Sequence, residues 1–144
     1  MVASKIMVAY DESDHSKKAV EWALKMQESL GTAIEVVTVL PPMGSPFIYE
    51  NQPLSLLDLR ESQKKCAVEA LEELRQKCEA AGRTITPTVL EGSVADTLLK
   101  HSEKSGADLI VTGTRGKGGF AGLLMGSIAQ KLVTYAKVPV VVIK

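Results

Sequence analysis

The residues with the types and spacing to do chemistry gather in one stretch, Asp108 to Ile128, DLIVTGTRGKGGFAGLLMGSI. Leu109, Ile110 and Val111 form a short apolar run, which predicts a buried parallel strand. Gly113, Gly116, Gly118, Gly119 and Gly122 then break it into a loop. Gly126 and Ser127 follow, after which Ile128, Leu132 and Tyr135 recur at helical spacing. A strand, a glycine-rich loop and a helix start make a layout for holding phosphate. Glycines admit positive φ and let backbone N–H groups approach a ligand closely. The first amides of a helix lack intrahelical partners and carry roughly half a unit of positive charge. An anion docks there.

The spacing excludes two familiar phosphate motifs. Two residues separate Gly113 from Gly116, and nine separate Gly116 from Gly126. A P-loop needs four residues between glycines and then Gly-Lys-Ser/Thr, but Gly116-Lys117 is followed by Gly118. The dinucleotide fingerprint belongs after the first strand of its fold, whereas this loop follows a late one. Lys117 reads as a surface residue, and Arg115 either pairs with phosphate or is solvated. Ser127 reads as a phosphate ligand, a helix N-cap, or both. No nucleophile elbow, paired-carboxylate motif or metal-ligand cluster is visible. His15 and His101 lack a Ser or Cys partner at a recognised spacing and read as surface residues.

A second polar cluster, Asp11-Glu12-Ser13-Asp14, follows the apolar run KIMVAY at 5–10. An ionised Asp11 suits a sugar diol, because a carboxylate accepts two hydrogen bonds. It equally suits an Asx-turn or a cap before the next helix. Both readings stand on the residues alone.

These residues need a scaffold, and the periodicities supply one. Strands are predicted at 5–10, 33–40, 84–90, 108–112 and the final VPVVVIK. Helices are predicted from His15 to Leu30, over 54–81, after Gly92-Ser93, and from Ser127 to about Ala136. Gly31, Gly82 and Gly106 stop the first three. Pro87 and Pro139 argue that their strands lie at sheet edges. A loop at 41–53, PPMGSPFIYENQP with four prolines, is long for a compact domain. It suits a lid, an interaction surface or a mobile segment. Alternating strands and helices predict an α/β fold with a parallel sheet covered on both faces.

Composition narrows the partners. The 144 residues suit one domain, 1–144. Lys plus Arg is 17 and Asp plus Glu is 17, so the formal net charge is zero, and neither nucleic acid nor an anionic membrane is indicated. The N-terminal apolar run is too short for a membrane span or a signal peptide, and a cytoplasmic location is the default. Cys66 and Cys78 are twelve residues apart in one predicted helix, roughly 18 Å along its axis. They cannot pair with each other there and read as half-buried.

The pattern G-x2-G-x9-G-S resembles the nucleotide-binding motif of the universal stress protein family, in its ATP-binding branch. The resemblance covers the whole chain: an Asp ending the first strand, the glycine motif after the fourth, and an apolar terminal strand. It implies a doubly wound, five-stranded parallel sheet of order 3-2-1-4-5, adenine nucleotide alpha hydrolase-like. It implies an ATP cofactor, with or without Mg²⁺ or Mn²⁺. Ala9 would line the adenine pocket, the Val39 backbone would read the adenine edge, and Asp11 would contact the ribose. Thr112, Gly113, Arg115 and Gly116 match the first half of the phosphate motif; Gly126, Ser127 and Ile128 match the second. Gly126 would offer an open amide and Ser127 a hydroxyl to the outer phosphates. The family also pairs its terminal strand with a second copy, which implies a homodimer through Val138–Ile143.

Three positions depart from the family pattern. Thr112 stands where many members have Met, Arg115 where His is frequent, and Glu12 where a small residue is common. Three functions compete. The first is an ATP-binding regulatory protein that needs no fast chemistry, because differential affinity alone shifts a conformational equilibrium. No general base is visible, so at most slow or partner-dependent hydrolysis is expected. The second is an adenylating enzyme of related fold, opposed by the absence of a Ser-Gly-Gly-x-Asp-Ser loop after the first strand. The third is a dimeric interaction module that binds no nucleotide, opposed by the intact motif.

Overall fold

A computed structural model describes residues 3–43, 53–115 and 125–144, with the backbone alone described at 53–56. The elements run β1 (Lys5–Ala9), α1 (Asp14–Leu30), β2 (Ala33–Leu40), α2 (Pro53–Ala80), β3 (Thr86–Glu91), α3 (Val94–Ser105), β4 (Leu109–Gly113), α4 (Ser127–Tyr135) and β5 (Val140–Ile143). The expected order of elements is therefore present, with boundaries moved by one or two residues. The long helix starts at Pro53, a residue suited to the first helical position because no intrahelical partner is needed for its missing N–H. Of the proline-rich loop, residues 44–52 lie outside the described residues.

The sheet order is β3-β2-β1-β4-β5, all parallel. Pro87 lies on edge strand β3, and Pro139 immediately precedes edge strand β5, as their missing N–H groups require. Right-handed crossovers explain which helix covers which face. The chain moves one way through β1, β2 and β3, so α1 and α2 fall on one face. It then moves the other way through β4 and β5, so α3 and α4 fall on the opposite face.

The two cores follow from period-two alternation along the strands. Ile6, Val8, Ile34, Val36, Leu109 and Val111 pack under α1 and α2. Met7, Val37 and Ile110 pack under Leu98 of α3 and Leu132 of α4. The central strands are buried on both faces, which is why they read as continuous apolar runs. Each fully buried Leu or Ile here is worth about 1.5–3 kcal/mol of transfer free energy. The two cysteines are not alike: Cys66 is exposed and Cys78 is buried beneath α2, because twelve residues of helix do not return to the same face. Among the described residues, no helix is long and apolar enough to cross a membrane.

The strand order reverses between β1 and β4. The crevice beyond their carboxyl ends lies between residues 10–13 and the segments at 114–115 and 125–127. Such a switch point is where open α/β sheets bind ligands.

Candidate functional site

The β1 side of the crevice is held by short bonds. Tyr10 continues the pairing past β1, its N–H donating to the Val37 carbonyl at 2.9 Å. The Thr38 hydroxyl donates to the Tyr10 carbonyl at 2.9 Å. The Asp11 carboxylate accepts the Ser13 amide at 3.0 Å, which is an Asx-turn. Ser13 then caps α1, its hydroxyl accepting the Ser16 amide at 3.2 Å. The Ser16 hydroxyl donates to the Ser13 carbonyl at 2.9 Å and lies 3.3 Å from the Asp11 amide. Glu12, inside this turn, takes φ +67°, a left-handed conformation uncommon for a residue with a side chain. The turn reading of Asp11 is thus present. Asp11, Glu12 and Arg115 are each engaged in further polar or electrostatic contacts.

The β4 side has a different construction. Thr112 and Gly113 are buried at the strand end. Gly113 is a glycine for lack of room: a Cβ there would stand 2.6 Å from the His15 Cβ. Gly126 occupies the N-cap position of α4 with φ −74°, so no left-handed backbone demands a glycine there either. A Cβ on it would meet the Thr114 carbonyl oxygen at 3.3 Å. At Gly113 the neighbour is the side chain and backbone of His15; at Gly126 it is main chain.

Two expectations need correction here. The Gly126 amide is not open, because it donates to the Thr114 carbonyl at 2.6 Å. Ser127 is not the N-cap but the first helical residue, and α4 has no side-chain cap. The first intrahelical bond is Gln130 N–H to the Gly126 carbonyl at 3.0 Å. The amides of Ser127, Ile128 and Ala129 precede it, and these are the donors a helix start offers an anion. Ser127 and Ile128 are exposed, and Arg115 is half-buried. Gly116, and with it Lys117, Gly118, Gly119 and Gly122, lies outside the described residues.

Ala9 and Val39 are half-buried and pack on the α3/α4 core. Val39 is also in register with Leu90 in the β2–β3 ladder. On the opposite face, a cavity of about 270 Å³ opens between α1 and α2, lined by Tyr10, Glu12, Lys17, Glu73 and Lys77 among others. It shares Tyr10 and Glu12 with the β1 side of the crevice. Burial, aided by Glu12, Asp11 and Glu73, raises the Tyr10 hydroxyl above its usual range.

Both histidines are engaged, against expectation. The His15 Nδ1 lies 3.4 Å from the Thr114 hydroxyl. The His101 Nε2 lies 2.8 Å from the Glu35 carboxylate, nearer the start of β2. That carboxylate also accepts the Thr88 hydroxyl at 2.7 Å and stands 3.8 Å from the Lys5 ammonium. Burial alone would raise the Glu35 carboxyl, but Thr88, His101 and Lys5 outweigh it and hold it below the usual carboxylate range. This cluster ties β1, β2, β3 and α3 together and stands apart from the crevice. Spacing carried no signal for it, since the partners are 66 residues apart in the chain. Thr114 falls at an unspecified position between Gly113 and Gly116, so the motif gives it no weight. Among the described residues, no group of three or more His, Cys, Asp or Glu is placed to hold a metal ion.

A parallel sheet of order 3-2-1-4-5, covered by helices on both faces and with a helix start at its switch point, is a doubly wound α/β fold. The model of the Universal stress protein family matches residues 3–144, and the chain belongs to that family. It is 36% identical over 143 residues to Universal stress protein MJ0531 of Methanocaldococcus jannaschii, covering 97% of this chain and 81% of that protein. Three solved structures share the fold. The protein MJ0577 superposes with TM-score 0.85 at 19% identity, covering 100% of this chain and 97% of the other. A universal stress protein in complex with cAMP gives 0.74 at 23% identity, covering 100% and 99%. An Arabidopsis thaliana family member with AMP bound gives 0.70 at 24% identity, covering 98% and 91%.

Proposed function

We propose that this chain binds ATP in the crevice between the ends of β1 and β4 and acts as a nucleotide-responsive regulatory protein. The observation that carries the reading is the start of α4. Its N-cap is a glycine, which offers no capping side chain and whose amide is bonded back to the residue that follows β4. The structures of family members holding cAMP and AMP support an adenine nucleotide. ATP is the finer step, supported by the glycine-rich spacing that precedes α4.

In this reading the Asp11 carboxylate accepts the ribose hydroxyls while keeping its turn. Ala9 and the Val39 backbone bound the adenine, and Thr112 forms part of the wall. Gly113, Gly116 and Gly126 give the main chain its close approach. Arg115, the Ser127 hydroxyl and the amides of Ser127 and Ile128 hold the phosphates. A Mg²⁺ or Mn²⁺ ion would be carried by the phosphates. The function is binding rather than rapid turnover, and nucleotide affinity for one conformation supplies the switch.

The test is calorimetric titration of the purified chain with ATP and Mg²⁺, paired with native mass spectrometry for retained nucleotide. Saturable binding below millimolar ATP is expected. No binding into the millimolar range would leave a nucleotide-independent interaction module as the better account.

The same proposal includes a homodimer through Val138–Ile143. Strand β5 pairs only with β4 among the described residues, and its residues are half-buried. Val133 and Tyr135 of the adjoining α4 are 47% and 67% exposed, so the edge is continuous with apolar surface. An unpaired apolar edge favours strand addition.

A further inference from the structure

His15 and Thr114 have no part in the roles assigned above, yet they stand at the meeting point of three elements. Thr114 is only 6% exposed. Its amide donates to the Ile143 carbonyl of β5 at 2.8 Å, and its carbonyl accepts the Gly126 amide at 2.6 Å. Its hydroxyl lies 3.4 Å from the His15 Nδ1, with the imidazole tautomer deciding which group donates. Beside it, a Cβ at Gly113 would stand 2.6 Å from the His15 Cβ and 3.0 Å from its carbonyl carbon. The first turn of α1 is therefore seated directly on the main chain that anchors α4.

Asp11 is held by a separate set of bonds. Its amide and carboxylate engage Ser16 and Ser13, and Tyr10 before it is tied to Val37 and Thr38. None of these passes through His15 or Thr114. The Asp11 bonds and the His15–Thr114 contact therefore use different side chains around the same start of α1.

We propose that His15 and Thr114 are a positioning pair for the phosphate end of the crevice, and that their side-chain contact sets its preference for phosphate-rich nucleotides. The inference rests on the nucleotide reading above. Hydrogen bonds weaken steeply with distance and angle. A shift of the α4 start therefore costs most for the ligand with most phosphates there, and least where the sugar and base dominate.

The experiment is calorimetric titration of ATP and of AMP into the wild-type chain, Thr114→Val, Thr114→Ser, His15→Ala and the double variant Thr114→Val/His15→Ala. Valine keeps the shape of threonine and leaves both backbone bonds in place. Thr114→Val and His15→Ala should each lower ATP affinity roughly fivefold, within the range for losing one neutral hydrogen bond, here a long one at 3.4 Å. AMP affinity should fall by less than about threefold. The double variant should lose little more than either single one, because both remove the same contact. Thr114→Ser, retaining the hydroxyl, should bind ATP like the wild type. Equal losses for ATP and AMP, unchanged ATP affinity in Thr114→Val, or failure of Thr114→Ser to rescue would overturn the proposal. If the wild-type chain binds neither nucleotide, the nucleotide reading itself fails and this inference falls with it. Wild-type binding with unaffected variants would overturn only the inference.

Discussion

The Gly126 amide donates to the Thr114 carbonyl at 2.6 Å, joining the start of α4 to the residue that follows β4. This bond explains how a helix start can remain uncapped by side chains and still be fixed in place. Its own amide is satisfied by the sheet end, and the next three precede the first intrahelical bond of α4. The glycine suits this position because a Cβ would stand 3.3 Å from the Thr114 carbonyl oxygen, a tight contact with main chain.

Gly126→Val therefore tests the anchor. Its Cβ would press on the Thr114 carbonyl oxygen from 3.3 Å. ATP binding should be lost in calorimetry. Overpacking of this kind typically costs about 1–3 kcal/mol, so the folded chain should persist with near-normal helical circular dichroism.

Gly113→Ala addresses packing rather than ligand contact. The added methyl would overlap the His15 Cβ at 2.6 Å, forcing α1 away from β4. Urea unfolding should show a loss of about 1–3 kcal/mol. A stability equal to wild type would mean that α1 and β4 separate freely.

Asp11 offers a separation of its two roles. Asn keeps an acceptor oxygen for the Ser13 amide but carries no charge; Ala removes both. Asp11→Asn should keep stability near wild type while weakening ATP binding, whereas Asp11→Ala should also lose about 0.5–1.5 kcal/mol with the turn bond. Equal ATP affinity for wild type and Asp11→Asn would remove the carboxylate from the ribose role.

Acid should unfold the chain partly through Glu35. Its folded carboxyl titrates below the usual range, despite burial, because Thr88, His101 and Lys5 favour the charged form. The unfolded chain then takes up the proton more readily than the folded one. This contribution is complete above the ordinary glutamate value of about 4.3 and is lost as pH falls through the lower folded value. Urea titrations stepped down from neutral pH should show a shallower acid decline for Glu35→Gln than for wild type. Asp108 adds a decline of the same sign, since the Ser4 hydroxyl and the Ser4 and Lys5 amides hold its carboxyl low.

For the dimer, Val142→Lys is the probe of choice. Val141 packs against the α1/α2 core, so a lysine there would unseat β5 itself. Sedimentation should give monomers for Val142→Lys, and an intact dimer would place the interface elsewhere.

The order of elements and the edge positions of Pro87 and of the strand after Pro139 were legible from the chain alone, whereas the strand order that sets the switch point came from the family resemblance. Period-two and period-3.6 apolar patterns are local properties, and a glycine-rich break between a buried strand and a helix is visible wherever it occurs. The roles of individual groups were not. The Gly126 amide is closed, Ser127 begins the helix, His101 meets Glu35 and His15 meets Thr114. Each of these depends on a partner brought close by the sheet register or by a crossover, and hydrogen bonds act only over about 3 Å. A linear pattern therefore marks a candidate site, and only the packed chain decides which of its polar groups are already spoken for.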